Sequence, residues 1–317
     1  MYQIRTDLAL ETQEKMQEDH VDLKGVRFLE EKVDRNLTIS TVVIETENGA
    51  RTMGKPKGTY ITIEAGNMDE EDEDYHREIS LQLAKVIEKL AHTKKDEISV
   101  LVVGLGNRDV TPDALGPRVV DNLFITRHII NEYGKYAFGS EKVNRISSIV
   151  PGVMAQTGME SLEIIKGVIK ETKPNLIIAV DALAARSTKR LNRTIQVTDT
   201  GINPGSGVGN HRHGLNEKSL GVPVISIGIP TVVDAATIVN DTMYNLVTAL
   251  TQSEAFESMG NSLEKLNDAE KYELIRELLS PNLNTMFVTP KDIDESVKRL
   301  SYTISEGLNI AFMKGVQ

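Results

Sequence analysis

Ile98-Ser-Val-Leu-Val-Val103 runs directly into Gly104-Leu-Gly-Asn-Arg-Asp-Val-Thr-Pro-Asp-Ala-Leu-Gly116, and this join decides the fold. The first six residues are mostly aliphatic and do not alternate with polar ones, which describes a strand covered on both faces. The glycines, Pro112 and polar residues that follow describe a tight loop, with a helix to follow near Pro117 and helical composition from Val119 to Tyr133. The same order recurs downstream. Leu176-Ile-Ile-Ala-Val180 is a second buried strand that ends at Asp181, and Val222-Pro-Val-Ile-Ser-Ile-Gly-Ile229 is a third, with Pro223 tolerated near its start. Thr157, with Glu160 three residues on, predicts a capped helix to about Glu171, and another helix is expected from about Val233 to Leu250. Alternating buried strands and helices predict an α/β fold: a mostly parallel sheet flanked by helices.

Working outward, Leu37–Ile44 and Thr59–Ile63 alternate as half-buried strands do, with turn signals at Asn48-Gly49 and Pro56-Lys57-Gly58 between them. Ile79, Leu83, Val86, Ile87 and Leu90 make one apolar stripe on a helix from Asp74 to Ala91. Ile4–Ala9 reads as an exposed extended segment. The tail predicts helices near Leu263–Leu279 and over Lys291–Phe312, the latter with Thr289 as cap and Pro290 at its first position. With no repeat and no long linker, the N-terminal strands and C-terminal helices are additions to one core.

Composition narrows the chemistry. With no cysteine there is neither a disulfide nor a thiolate nucleophile or ligand. The 36 basic and 46 acidic side chains leave a net charge of -10, which repels nucleic acid. No stretch reaches the roughly 18 apolar residues that span a bilayer, and the start carries no basic-plus-apolar signal segment. The expectation is a cytosolic protein with no membrane contact and no direct nucleic-acid binding. The acidic run from Met68 to Asp74 reads as a solvated approach to a helix, with docking of a basic partner as the alternative.

Reactive groups of open α/β sheets gather beyond the carboxyl ends of the strands. Asp109 and Asp113 stand in the first strand-end loop, where Asp113 could equally serve the following helix N-terminus. Asp181 ends an apolar strand, where a carboxylate is costly unless hydrogen bonded, paired or functional. Two such carboxylates together could share a proton and work as acid and base, or bind a divalent metal through hard oxygen ligands. The loop Gly201–Gly214 is the densest run of small and polar residues and could wrap an extended backbone or an oxyanion. His211 and His213 are a weak ligand pair, Arg212 could orient a carboxylate, and Ser206 lacks a nucleophile elbow. Lys189, Arg190 and Arg193 form a basic cluster that reads as a solvated face or as a reader of acidic peptide groups. Neither loop carries a dinucleotide or P-loop signature.

Six stretches together resemble the germination proteases of endospore-forming bacteria. They are Ile4-Arg-Thr-Asp-Leu-Ala9, Gly104 to Pro117, Val150-Pro-Gly-Val-Met154, Val180-Asp-Ala-Leu-Ala-Ala-Arg186, Asn203-Pro-Gly-Ser-Gly-Val-Gly-Asn210 and Ile229-Pro-Thr-Val-Val-Asp234. The resemblance implies an atypical aspartic endopeptidase with a hydrogenase-maturation-protease-like core, assembled as a homotetramer. It implies Asp113 and Asp181 as the catalytic pair, with Asn107, Asp109, Arg186, Gly205, Gly207 and His211 as candidate supporting or substrate-binding residues. The related maturation proteases engage nickel with an acidic residue at the loop position of Asp113 and a histidine that has no evident match here. No cofactor and no metal are therefore expected. The implied substrates are small acid-soluble spore proteins, degraded in the forespore and spore core at germination. Thr6-Asp7-Leu8-Ala9 matches the implied cleavage pattern, so residues 1–7 are expected to be a propeptide cut between Asp7 and Leu8, leaving 8–317 as one elaborated peptidase domain. The competing expectations are a metal-dependent maturation peptidase on the same scaffold and a non-enzymatic interaction protein.

Overall fold

A computed structural model of the chain describes residues 6–18, 20–66, 68, 72–91, 97–140, 142–205, 213–253 and 286–313. Among them, nine strands form one sheet: β1 (Val26–Lys32), β2 (Leu37–Ile44), β3 (Gly58–Ala65), β4 (Ser99–Gly104), β5 (Arg145–Ile149), β6 (Leu176–Ala185), β7 (Thr194–Thr198), β8 (Val224–Asp234) and β9 (Phe287–Val288). Their order is β1-β2-β3-β7-β8-β6-β4-β5, with β9 also paired to β8. Only β5, β4, β6 and β8 are mutually parallel. The β1–β2, β2–β3, β3–β7, β7–β8 and β8–β9 pairs are antiparallel. The sheet is therefore mixed, not mostly parallel. Period and composition specify how a strand is covered, and the apolar runs were read correctly; they do not specify the direction of its partner.

Helices cover both faces of the parallel half. On one face α3 (Glu73–Ala91), α4 (Leu115–Asp121) and a C-terminal helix, α10 (Ile293–Phe312), bury Ile79, Leu83, Val119, Val297 and Ile304 against Val100, Val102, Ile178 and Val180. On the other, α7 (Ser161–Thr172) and α8 (Glu217–Leu220) bring Ile165 and Leu220 onto Leu101, Val103, Ile177 and Ala179. The alternation Ile177, Ala179, then Asp181 sets the Asp181 side chain on this second face. Near the other end of the sheet, α1 (Ala9–Glu18) and α2 (Glu47–Met53) meet Val42, Ile44 and Tyr60 through Ala9 and Met53. The remaining helices are α5 (Arg127–Tyr133), α6 (Met154–Thr157) and α9 (Ala235–Thr251). No helix among the described residues is long and apolar enough to cross a membrane.

Several local expectations are corrected. Asn48-Gly49 does not form a turn, because Thr46 Oγ1 accepts the Gly49 N–H at 3.0 Å and caps α2 around it. The expected helix from Val119 to Tyr133 is split into α4 and α5. Between them Phe124 donates its N–H to Asn309 at 3.0 Å, and Thr126 donates to the Asn144 carbonyl at 2.6 Å while accepting Ile146 N–H at 2.8 Å. The start of α7 is served by Glu163, which accepts Glu160 N–H at 2.8 Å, while Thr157 closes α6. Thr289 spends its hydroxyl on the Thr231 carbonyl at 2.8 Å, not on a helix cap. Of the segment Ile4–Ala9, Ile4 and Arg5 lie outside the described residues, while Leu8 and Ala9 are fully buried and Ala9 opens α1, so these two are not part of an exposed extended segment. The helix expected near 263–279 lies outside the described residues.

Candidate active site

Pairing of β4 with β6 ends at Gly104 opposite Val180, whereas β6 keeps β8 as partner out to Ala185 opposite Val233, through a register shift at Leu183/Ala184. Asp181 consequently lies inside β6 and not beyond its end, since Ala182–Ala185 still have β8 to pair with. The departure of β4 leaves one side of β6 without a strand from Asp181 onward. A cavity of about 330 Å³ opens there, and Asp7, Asp113 and Asp181 all line it, with Gly106, Gly205 and Thr231.

The loop after β4 delivers Asp113 to this cavity. Leu105 N–H bonds the Val180 carbonyl at 2.8 Å, the last tie to β6 before the chain turns. Gly106 then takes φ +112, where an added Cβ would lie 2.0 Å from the Asp113 carbonyl oxygen. Only glycine meets both demands. A 3-10 turn over Thr111–Asp113 follows, and Thr231 of β8 fixes it by donating its hydroxyl to the Pro112 carbonyl at 2.7 Å. Asp113, half-buried, accepts the Asn107 N–H on Oδ2 at 2.7 Å. The carboxylate therefore braces the loop that carries it. Asp181 is 5% exposed and its Oδ1 accepts Ala182 N–H at 3.0 Å.

Residue 7 enters the same cavity from the N-terminus. Its N–H donates to the Ala184 carbonyl at 3.1 Å, and its carboxylate accepts Ala184 N–H at 2.9 Å. Its carbonyl accepts from Lys55 Nζ and from Gln196 Nε2, each at 3.0 Å. Leu8 is fully buried against Leu183 and Ala185. The buried Glu11 holds α1 in place by accepting the N–H groups of Arg186 at 2.8 Å and Ser187 at 2.9 Å. Burial pushes the Glu11 carboxyl above its ordinary pKa, against the opposing pull of Thr6, the two N–H groups and Arg190. Burial likewise pushes the Lys55 amine down, against the charges of Asp7 and Glu11.

The other expected site residues fall around this centre. Asn107 braces the loop, its side-chain oxygen accepting Asp109 N–H at 3.0 Å and Gln156 Nε2 at 3.1 Å. Asp109 is exposed and also accepts from Gln156, at 3.1 Å. Arg186 contributes its backbone to Glu11 and its charge to the neighbourhood of Asp241. Gly205 lines the cavity, while Ser206, Gly207, His211 and Arg212 lie outside the described residues. His213 meets Glu160 at 2.6 Å. Arg190 of the basic cluster does not await a peptide. It forks onto Glu14 at 2.7 Å twice and meets Glu64 at 3.0 Å. Lys55, Gln196 and Glu11 were not singled out by sequence; the polar Gln196 inside Thr194-Ile-Gln-Val-Thr198 was the one visible signal.

Fold and site together define an α/β protein with an acidic cleft where the parallel strand β4 leaves β6, a cleft that residue 7 of the same chain also lines. The family model described as Germination protease matches residues 4–262 and 248–317. The germination protease of Caldanaerobacter subterraneus subsp. tengcongensis is 49% identical over 99% of this chain and 95% of its own. That of Clostridium perfringens is 42% identical over 98% and 95%, and that of Bacillus cereus 38% over 98% and 94%. The chain belongs to the germination protease family.

Proposed function

We propose that the protein is an aspartic endopeptidase that begins the degradation of small acid-soluble spore proteins at germination. The observation that carries this reading is the meeting of Asp113, Asp181 and Asp7 on one cavity. One carboxylate takes a proton from water as its oxygen attacks the peptide carbonyl; the other, protonated, supports the oxyanion and passes its proton to the leaving amine as the C–N bond breaks. Asp181 is buried and accepts the Ala182 N–H, whereas Asp113 is half-buried and accepts the Asn107 N–H, so the two carboxylates stand in different surroundings.

Residues 1–7 are read as a propeptide that ends at Asp7, and 8–317 as the peptidase domain. The seating of Asp7 in the cavity and of Leu8 in its own apolar pocket supports a cut between them. The parallel strands β5-β4-β6-β8, with helices on both faces, support the hydrogenase-maturation-protease-like core. A homotetramer working in the forespore and spore core, without a cofactor and without touching nucleic acid or membrane, completes the reading. Purified protein incubated with a small acid-soluble spore protein should release fragments that mass spectrometry maps to discrete bonds. No fragment from any such substrate would contradict the proposal. Loss of cleavage on chelation, restored by one ion, would instead favour a metal-dependent maturation peptidase.

A further inference from the structure

The peptide bond between Asp7 and Leu8 is held at both of its polar atoms. Its carbonyl oxygen accepts from Lys55 Nζ and from Gln196 Nε2, each at 3.0 Å. Its N–H donates to Thr6 Oγ1 at 3.0 Å. Gln196 is buried, and its side-chain oxygen accepts the Ala9 N–H at 2.7 Å. A backbone N–H only donates, so this contact fixes the amide with its nitrogen toward Asp7. Lys55 is half-buried between α2 and β3. Burial disfavours its ammonium form, and the charges of Asp7 and Glu11 oppose that. A resting peptide oxygen carries only a partial charge, so an ammonium contact is worth most when attack at the carbon makes that charge whole. Donors within about 3 Å of such an oxygen lower the barrier to acyl transfer, and a partly buried cation does so more strongly than one in water.

We propose that Lys55 and Gln196 form the oxyanion hole for cleavage of the Asp7–Leu8 bond. The choice of bond rests on the peptidase reading above, whereas the two donors are set by the fold. A water oxygen attacks the Asp7 carbonyl carbon from the cavity, and its proton passes to whichever of Asp113 and Asp181 is ionised. The C=O pair moves onto the oxygen that Lys55 and Gln196 hold. The protonated carboxyl joins them as a third donor before giving its proton to the amine. When the pair re-forms the C=O bond, the C–N bond breaks and its electrons leave with the Leu8 nitrogen, which takes that proton. The products are the carboxyl of Asp7 and the amine of Leu8, and Asp113 and Asp181 again hold one proton between them. Lys55 and Gln196 lend no proton and act by charge and hydrogen bonding alone.

The test follows self-cleavage of the full-length chain by mass spectrometry at mildly acidic pH, for wild type, Lys55→Met, Lys55→Arg and Gln196→Met. Each substitution is also made beside Asp113→Asn, where no cut competes, and protection of the Asp7 and Ala184 amides against hydrogen exchange reports whether residue 7 is still seated. Lys55→Met should slow the first-order cut by about a hundredfold or more and Gln196→Met by about tenfold or more, with protection kept. Lys55→Arg should retain a larger share of the rate than Lys55→Met. Gln196→Met carries the same test should Lys55→Met not fold. Unchanged rates in Lys55→Met and Gln196→Met, beside a wild type that cuts, overturn the oxyanion hole and leave the peptidase reading standing. A slowed cut with lost protection gives these side chains the docking of residue 7 instead, and overturns it too. A seated Lys55→Arg chain as slow as Lys55→Met contradicts the role given to charge. A wild type that never cuts the Asp7–Leu8 bond overturns both the oxyanion hole and the reading it rests on.

Discussion

Asp7 and Ala184, 177 residues apart in sequence, exchange two hydrogen bonds: the Asp7 N–H reaches the Ala184 carbonyl at 3.1 Å, and the Asp7 carboxylate accepts the Ala184 N–H at 2.9 Å. Residue 7 thereby sits on the side of β6 that β4 leaves at Val180, in the cavity that Asp113 and Asp181 share. Residue 7 and the candidate catalytic carboxylates line one site.

Gly106 is the most sensitive backbone position of that site. Gly106→Ala places a Cβ 2.0 Å from the Asp113 carbonyl oxygen at a φ that disfavours any side chain. The expected result is a loss of about 2 kcal/mol in stability and a fall in peptide cleavage of more than tenfold, read by denaturant melts and initial rates. Unaltered cleavage would mean that Asp113 does not depend on this turn.

Arg190 ties α1 to the sheet. Its side chain is 13% exposed and faces Glu14, Glu64 and Glu11. Burial opposes its charge, but the three carboxylates outweigh that and raise its pKa. Arg190→Met leaves these acids without their cation, and about 3 kcal/mol of destabilisation is expected. A melting curve like that of wild type would show the cluster to be dispensable.

Glu11 makes the stability of the N-terminal region depend on pH. Its folded pKa lies above the ordinary 4.5, chiefly through burial, so the folded protein holds this proton more tightly than the unfolded chain. Between 4.5 and the raised value, this group's contribution to stability falls as pH rises, and acidification through the window removes the cost of burying its charge. Glu11→Gln lacks the titration. The difference in Tm between wild type and variant should shift in favour of wild type as pH falls through the window, then flatten below 4.5. A difference independent of pH would contradict this.

The strands that carry the site were legible because continuous apolar runs such as Val100–Val103 and Leu176–Val180 have few other uses. The directions of their neighbours were not, since an alternating strand such as β2 reads alike in parallel or antiparallel company. Asn48-Gly49 was misread because a local turn preference yielded to the Thr46 cap. The break between α4 and α5 was invisible because Thr126 and Phe124 are drawn out by Asn144 and Asn309, which are distant in sequence. The same holds for the grip on Asp7. Asp113 was legible from its place in the loop after a buried strand and Asp181 as the carboxylate that breaks an apolar run, although β6 continues four residues past it, to Ala185, whereas Lys55 precedes an ordinary loop and meets residue 7 only in the fold.

The central claim is that Asp113 and Asp181 cut peptide bonds in a cleft first occupied by residue 7. Mass spectrometry of the full-length chain, incubated at mildly acidic and at neutral pH with peptidase activity followed in parallel, tests it most directly. The account predicts loss of Met1–Asp7, a new N-terminus at Leu8, and activity that rises with that cut. Asp113→Asn and Asp181→Asn should each remain full length and inactive while keeping the wild-type circular dichroism spectrum. Near-wild-type processing and cleavage by either variant, or full activity of the wild-type chain before any cut, would contradict it.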